Sequence, residues 1–207
     1  MGRTSDAKER LLKSAIDLIY SRSYAGVSVQ DICEHADVKK GSFHYFFKTK
    51  RDLALAALEQ QWDLLNKTVL ERAFSQTYPP LERIQRYFKL AYQYQRLVKD
   101  SGGQMYGCHF GNLAIELSTQ DGAIREKIAQ IFEKIAYYIE KALRDAVAMG
   151  ELDEIDTKLS AYAILGYFEG IILLAKSQNN PELIKRLSQS AVMPSVLKNS
   201  RLRPKKR

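Results

Sequence analysis

All five prolines of this 207-residue chain lie at or beyond position 79, at Pro79, Pro80, Pro181, Pro194 and Pro204. Proline removes a backbone N–H and clashes with the preceding turn, so it ends or kinks a helix interior. Residues 1–78 are free of that constraint. Between the breakers, apolar residues recur at helical spacing, and no sustained alternation of period two appears. The expected fold is all-α. At 45% hydrophobic residues the chain can bury a real core. No apolar run approaches the roughly 18 residues of a membrane span. The opening "MGRTSDAKER" is polar and lacks a signal-peptide core. The expectation is a cytoplasmic protein without a membrane partner.

Capping residues divide the chain into nine helices. Asp6, with Glu9 three residues on, is read as the cap of a helix over 6–21. Ser28 with Asp31 opens a short helix to 35, and "ADV" is a tight turn. A second short helix covers 39–46, and Thr49 with Asp52 caps a long one over 50–74. Helices follow over 81–98, 105–118 and 123–149, where Gly150 ends the run. Asp156 caps a helix to 176, and Asn180 followed by Pro181 starts the last, to 191.

Two short helices joined by a four-residue turn form a helix-turn-helix signature, whose second helix enters the DNA major groove. The residues suit that role. Lys39 and Lys40 open the second short helix, where cations meet phosphate or guanine acceptors. Gly41 and Ser42 are small enough for close approach, His44 and Tyr45 reach outward, and Phe43 with Phe46 or Phe47 holds the helix down. Ser28, Lys48 and Lys50 complete the candidate DNA contacts, with the free N–H groups of the helix starting at Lys50 favouring a phosphate. The charge of +8 is uneven: residues 1–50 carry +3, residues 198–207 carry six bases and no acid, and the middle is nearly neutral. A polyanion partner fits the basic ends, and a solubilising tail fits the last ten residues equally.

"VSVQDICEHADVKKGSFHYFFKTKRDL" resembles the DNA-binding module of the tetracycline-repressor (TetR) family of bacterial transcriptional regulators. Ser28, Ile32, Cys33 and Ala36-Asp37-Val38 stand at the family's motif positions, and Gly41, Ser42, Phe43, Phe47, Lys50 and Leu53 match directly. Asp37 replaces the turn glycine, His44 replaces a phosphate-touching tyrosine, and Tyr45 with Phe46 shifts the aromatic pattern. "GCHFGNLAIELS" and the last two helices are similar to segments of one subgroup. The resemblance implies a DNA-binding part over 1–50, a ligand-binding and dimerising part over 51–197 and a basic tail over 198–207. It implies a palindromic double-stranded operator, a small-molecule effector and a homodimer.

Glycine inside a helix costs about 1 kcal/mol against alanine, which close approach of another helix can offset. Gly166 and Gly170 therefore point to a self-pairing face with Tyr162, Leu174 and Leu183, or else to packing inside one chain. Trp62, Phe88, Tyr92, Tyr106, Phe110 and Tyr137 are candidate pocket aromatics, with His109, Asn112 or Glu116 as polar anchors on one helical stripe. Each aromatic is also an ordinary core residue.

Cys33 and Cys108 make no metal spacing, and neither a metal nor another cofactor is expected. No nucleophile elbow, phosphate-binding loop, dinucleotide fingerprint or two-histidine metal motif occurs, so an enzyme is not expected. The reading is a sequence-specific DNA-binding regulator, a repressor released by a small molecule. Two alternatives stand beside it: a regulator triggered by oxidation of Cys108, and a helical adaptor that binds no DNA.

Overall fold

A computed structural model describes residues 3–189, and among them every regular element is helical. The nine helices are α1 (Arg3–Ser21), α2 (Val29–His35), α3 (Lys40–Phe46), α4 (Lys50–Leu65), α5 (Pro80–Gly102), α6 (His109–Leu117), α7 (Gly122–Ala148), α8 (Thr157–Ser177) and α9 (Glu182–Ser188). The basic segment 198–207 and positions 190–191, read as the end of the last helix, lie outside the described residues.

The chain forms two compact units. The first joins Met1–Leu64 to His109–Ile131, and the second joins Leu65–Cys108 to Phe132–Arg207. This division differs from a cut at residue 50, because α4 and α6 pack with the N-terminal helices.

In the first unit, Leu11, Ile32, Phe43 and Leu53 are sealed from solvent. Burying each is worth about 1.5–3 kcal/mol. The capping expectations hold at two starts. Ser28 and Asp31 form a reciprocal box on α2. Thr49 and Asp52 exchange bonds of 3.0 and 3.1 Å at α4. The Asp6 cap is a correction: α1 already begins at Arg3, so Asp6 lies within its first turn and faces Arg10 at 3.5 Å.

In the second unit, Tyr87, Phe88 and Phe168 build an aromatic core, with the Tyr87 and Phe168 rings 4.5 Å apart. Three helix bounds differ from expectation, each for a local reason. The helix read over 50–74 opens into a π-turn, Asn66–Leu70, before a last turn Glu71–Ala73. There Asn66 receives the Tyr138 hydroxyl at 2.8 Å and donates to Glu71 at 2.9 Å. Next, α5 runs to Gly102 because the left-handed residue that stops it is Gly103, at φ +73°. Finally, α6 starts at His109 rather than 105. Asn179 accepts from Met105 N–H at 2.9 Å and donates to the Gly103 carbonyl at 3.0 Å, while Gln95 donates to the Gly107 carbonyl at 2.7 Å. Those bonds hold 103–107 out of the helix.

Asp156 caps α8 by accepting from Leu159 N–H. One side of α8 is buried through Ile164, Phe168 and Ile172. The other carries Leu159, Tyr162, Leu173 and Leu174, all exposed. Gly166 and Gly170 lie on that open side, and a Cβ at either would meet nothing within 4 Å. Packing among the described residues therefore does not require them. Among the described residues α8 is the one helix long and apolar enough to cross a membrane, a test that the core helix of a bundle also meets.

Candidate nucleic-acid interface

The interface is built on α2 and α3. The α2 start is rigid because Ser28 Oγ both donates to the Asp31 carboxylate and accepts from its N–H, which holds that carboxyl below its usual range. Asp37 turns the chain at φ +51°, the left-handed geometry that aspartate tolerates better than most residues. Arg10 donates to the Asp37 carbonyl at 3.1 Å and ties α1 to this turn.

Phe43 and Phe47 are buried and anchor α3, while Phe46 is half-buried and edge-on to Tyr45 at 4.9 Å. That leaves one outward surface. Lys39, Lys40, Gly41, His44 and Lys48 are exposed, Tyr45 is 75% exposed, and Ser42 is half-buried. The helix KGSFHYF contains no acid. A Cβ at Gly41 would meet nothing within 4 Å, so its smallness serves the outer face, not the core.

Two expected DNA contacts have other work. Ser28 spends its hydroxyl on the cap. The Lys50 ammonium donates to the carbonyls of Tyr24 and Val27, both at 2.8 Å, and lies 4.0 Å from the Tyr24 ring centre. Burial lowers its pKa, and Glu116 and Asp31 pull it back up. Glu116, read as a pocket anchor, accepts instead from the N–H groups of Tyr24 and Ala25 at 2.9 and 2.7 Å. His109 lies flat against Tyr20, with centroids 3.5 Å apart. Burial holds its pKa down at about 3. These partners are some 90 positions apart, so no local pattern marks them.

The expected pocket residues divide between the units. Trp62 and Phe110 are buried in the first unit and Asn112 is half-buried there. In the second, Phe88 is buried, Tyr106 is half-buried, and Tyr92 donates to Glu182. Tyr137 is 59% exposed on its helix. A polar group that sequence reasoning missed, Glu169, acts on Tyr87. Burial raises the Glu169 carboxyl to about 7, while a bond from the Cys108 thiol pulls the other way. Tyr87 feels both groups, and its own pKa rises mainly through burial. The signal was available: Glu169 is the only charge between Lys158 and Lys176.

A capped helix, a tight turn and an acid-free second helix with exposed lysines define a helix-turn-helix module of the DNA-binding class. The model of the bacterial regulatory protein tetR family matches residues 11–57, and that of the tetracyclin repressor-like C-terminal domain matches residues 80–191. The chain belongs to the tetracycline-repressor family. It is 28% identical over 200 residues to the HTH-type transcriptional repressor DhaR of Mycobacterium sp. strain GP1, covering 95% of this chain and 96% of that protein. The crystal structure of regulatory protein TetR from Rhodobacter sphaeroides has a TM-score of 0.79 at 28% identity, covering 88% of this chain and 95% of that one. The reduced form of E. coli NemR has a TM-score of 0.77 at 22% identity, covering 88% and 93%, which shows the shared fold.

Proposed function

We propose that the chain is a homodimeric, cytoplasmic repressor that reads a palindromic operator and leaves it when a small molecule binds the second unit. The observation that carries the dimer is the open face of α8. Leu159, Leu173 and Leu174 are more than half exposed around two glycines that the described residues leave uncovered. Such a stripe suits a two-fold helix contact. The repressor role draws on DhaR, whose name states it. Lys39, Lys40 and Lys48 are assigned to phosphate and base contacts, and Ser42, His44 and Tyr45 to reading. For the effector, the aromatic core beside Glu169 offers an apolar environment with one ionisable anchor. Selection of bound sequences from a random duplex pool tests the reading. The expected product is a palindrome with half-sites about one or more helical turns apart, on the order of 10 bp per turn. A half-site bound as tightly as the palindrome would sink dimeric recognition. Binding that ignores salt would favour the adaptor reading.

One observation favours a second trigger. The Cys108 thiol donates to Glu169, and the NemR crystal structure is of a reduced form. In that reading peroxide oxidises Cys108 to a sulfenic acid and removes this bond. Operator release by peroxide in wild type, absent in Cys108→Ser, would support it over ligand release.

A further inference from the structure

The loop between α1 and α2 is held by two oppositely charged side chains that arrive from distant parts of the first unit. Glu116, on α6, takes its N–H groups: Oε2 accepts from Tyr24 at 2.9 Å and Oε1 from Ala25 at 2.7 Å. Lys50, at the start of α4, takes its carbonyls: Nζ donates to Tyr24 and to Val27, each at 2.8 Å. One residue comes from each of the two family-matched segments. Within the loop, Ser23 sits at φ +138° and its hydroxyl accepts from Gly26 N–H at 3.1 Å. Arg51 and Asp121, 3.9 Å apart, form an ion pair between the starts of α4 and α7.

The loop has no ladder of its own, so its backbone groups need partners from elsewhere. Four of these groups are sorted by sign, the Tyr24 and Ala25 donors to the acid and the Tyr24 and Val27 acceptors to the base. Each bond is charge-assisted, the strong kind. Val27, at the end of the loop, is sealed in the core, and Ser28 then caps α2. The clamp therefore fixes where α2 begins, and α3 follows α2 after one short turn.

We propose that Glu116, with Lys50 as its counterpart, is a positioning residue for operator reading: without touching DNA, it sets the angle at which α2 and α3 are presented. The inference rests on the operator-binding reading above.

Charge and position make opposite predictions for this residue. As a charge near a basic reader, Glu116 repels phosphate, and its removal should tighten binding to any duplex. As a positioning group, its loss should weaken the operator alone. The test uses full-length protein, the duplex enriched from the random pool, and a random-sequence duplex of equal length, over a range of salt. Glu116→Ala is expected to weaken the operator by about tenfold or more, as befits loss of charge-assisted bonds. Random duplex should bind unchanged or tighter, and the operator salt slope should stay the same. Glu116→Gln, which keeps an acceptor, should fall between and preserve the fold if alanine does not. Lys50→Met should act like Glu116→Ala, the double variant should be no worse than the poorer single, and Lys50→Arg should recover most of the loss. Operator binding by Glu116→Ala or Glu116→Gln that equals or exceeds wild type overturns the proposal. So does an equal loss on both duplexes, or a salt slope reduced by about 1 in Lys50→Met, the mark of a direct phosphate contact. If wild type enriches no sequence, the operator reading itself has failed, a result separate from any of these.

Discussion

His109 in the first unit and Glu169 in the second are both ionisable groups taken out of water, yet their protons respond in opposite directions. The histidine is driven from 6.5 to about 3. Between those values the unfolded chain holds a proton that the folded one refuses. Its contribution is present above pH 6.5 and is lost as pH falls toward 3. The glutamate is driven from 4.5 to about 7. There the folded chain holds the proton and the unfolded one does not. Its contribution is present below pH 4.5 and is lost as pH rises through 7. These two groups therefore pull in opposite directions, the histidine toward neutral solution and the glutamate toward acid. Burial causes both shifts.

The largest effect expected from breaking this pairing of units is at α8. Gly170→Leu should give monomers with an intact reader, because a Cβ there meets nothing within 4 Å among the described residues. Palindrome affinity should fall by on the order of 10²- to 10⁴-fold, with weak salt-sensitive binding left. Light scattering and circular dichroism on one sample decide it, and a variant that stays dimeric places the interface elsewhere.

Next in size is the pH contrast itself. Glu169→Gln should remove up to about 3 kcal/mol of stability loss between pH 4.5 and 7, read by urea unfolding. His109→Phe should keep the stack on Tyr20 while moving acid unfolding of the reader to lower pH. Trp62, the chain's one tryptophan, lies in that unit and supplies the fluorescence signal. If each variant shifts both units alike, the opposition is not theirs.

Smaller still is Ser28→Ala, which removes one side of the α2 cap and should cost about 1 kcal/mol in the reader alone. Least of all, Lys40→Ala should weaken every duplex and lower the salt slope by about 1, whereas Tyr45→Ala should change which sequence is preferred. Uniform behaviour at both positions would end the division between holding and reading residues.

What the sequence made legible follows the range of each interaction. The Ser28–Asp31 and Thr49–Asp52 caps span three residues, and both were readable. The left-handed Asp37 turn was legible for the same reason. Asp6 misled because a cap signal inside a helix looks the same as one at its start. The tie from Glu116 to Tyr24, the grip of Asn179 on Gly103 and Met105, and the second task of Lys50 all bridge residues that only folding brings together. Periodicity placed 109, 112 and 116 on one stripe but held no information about what that stripe would face. The π-turn at Asn66 escaped because one extra residue per turn barely disturbs an apolar pattern.

Gly166 and Gly170 bear on inheritance as well as on structure. Each costs its helix about 1 kcal/mol against alanine, and among the described residues no close contact returns it. If the return comes only from a matching copy, this face can drift without endangering the fold, and a duplicated gene could diverge here first. Two sister repressors in one cell would then sort themselves into like pairs through a few small side chains, each keeping its own operator.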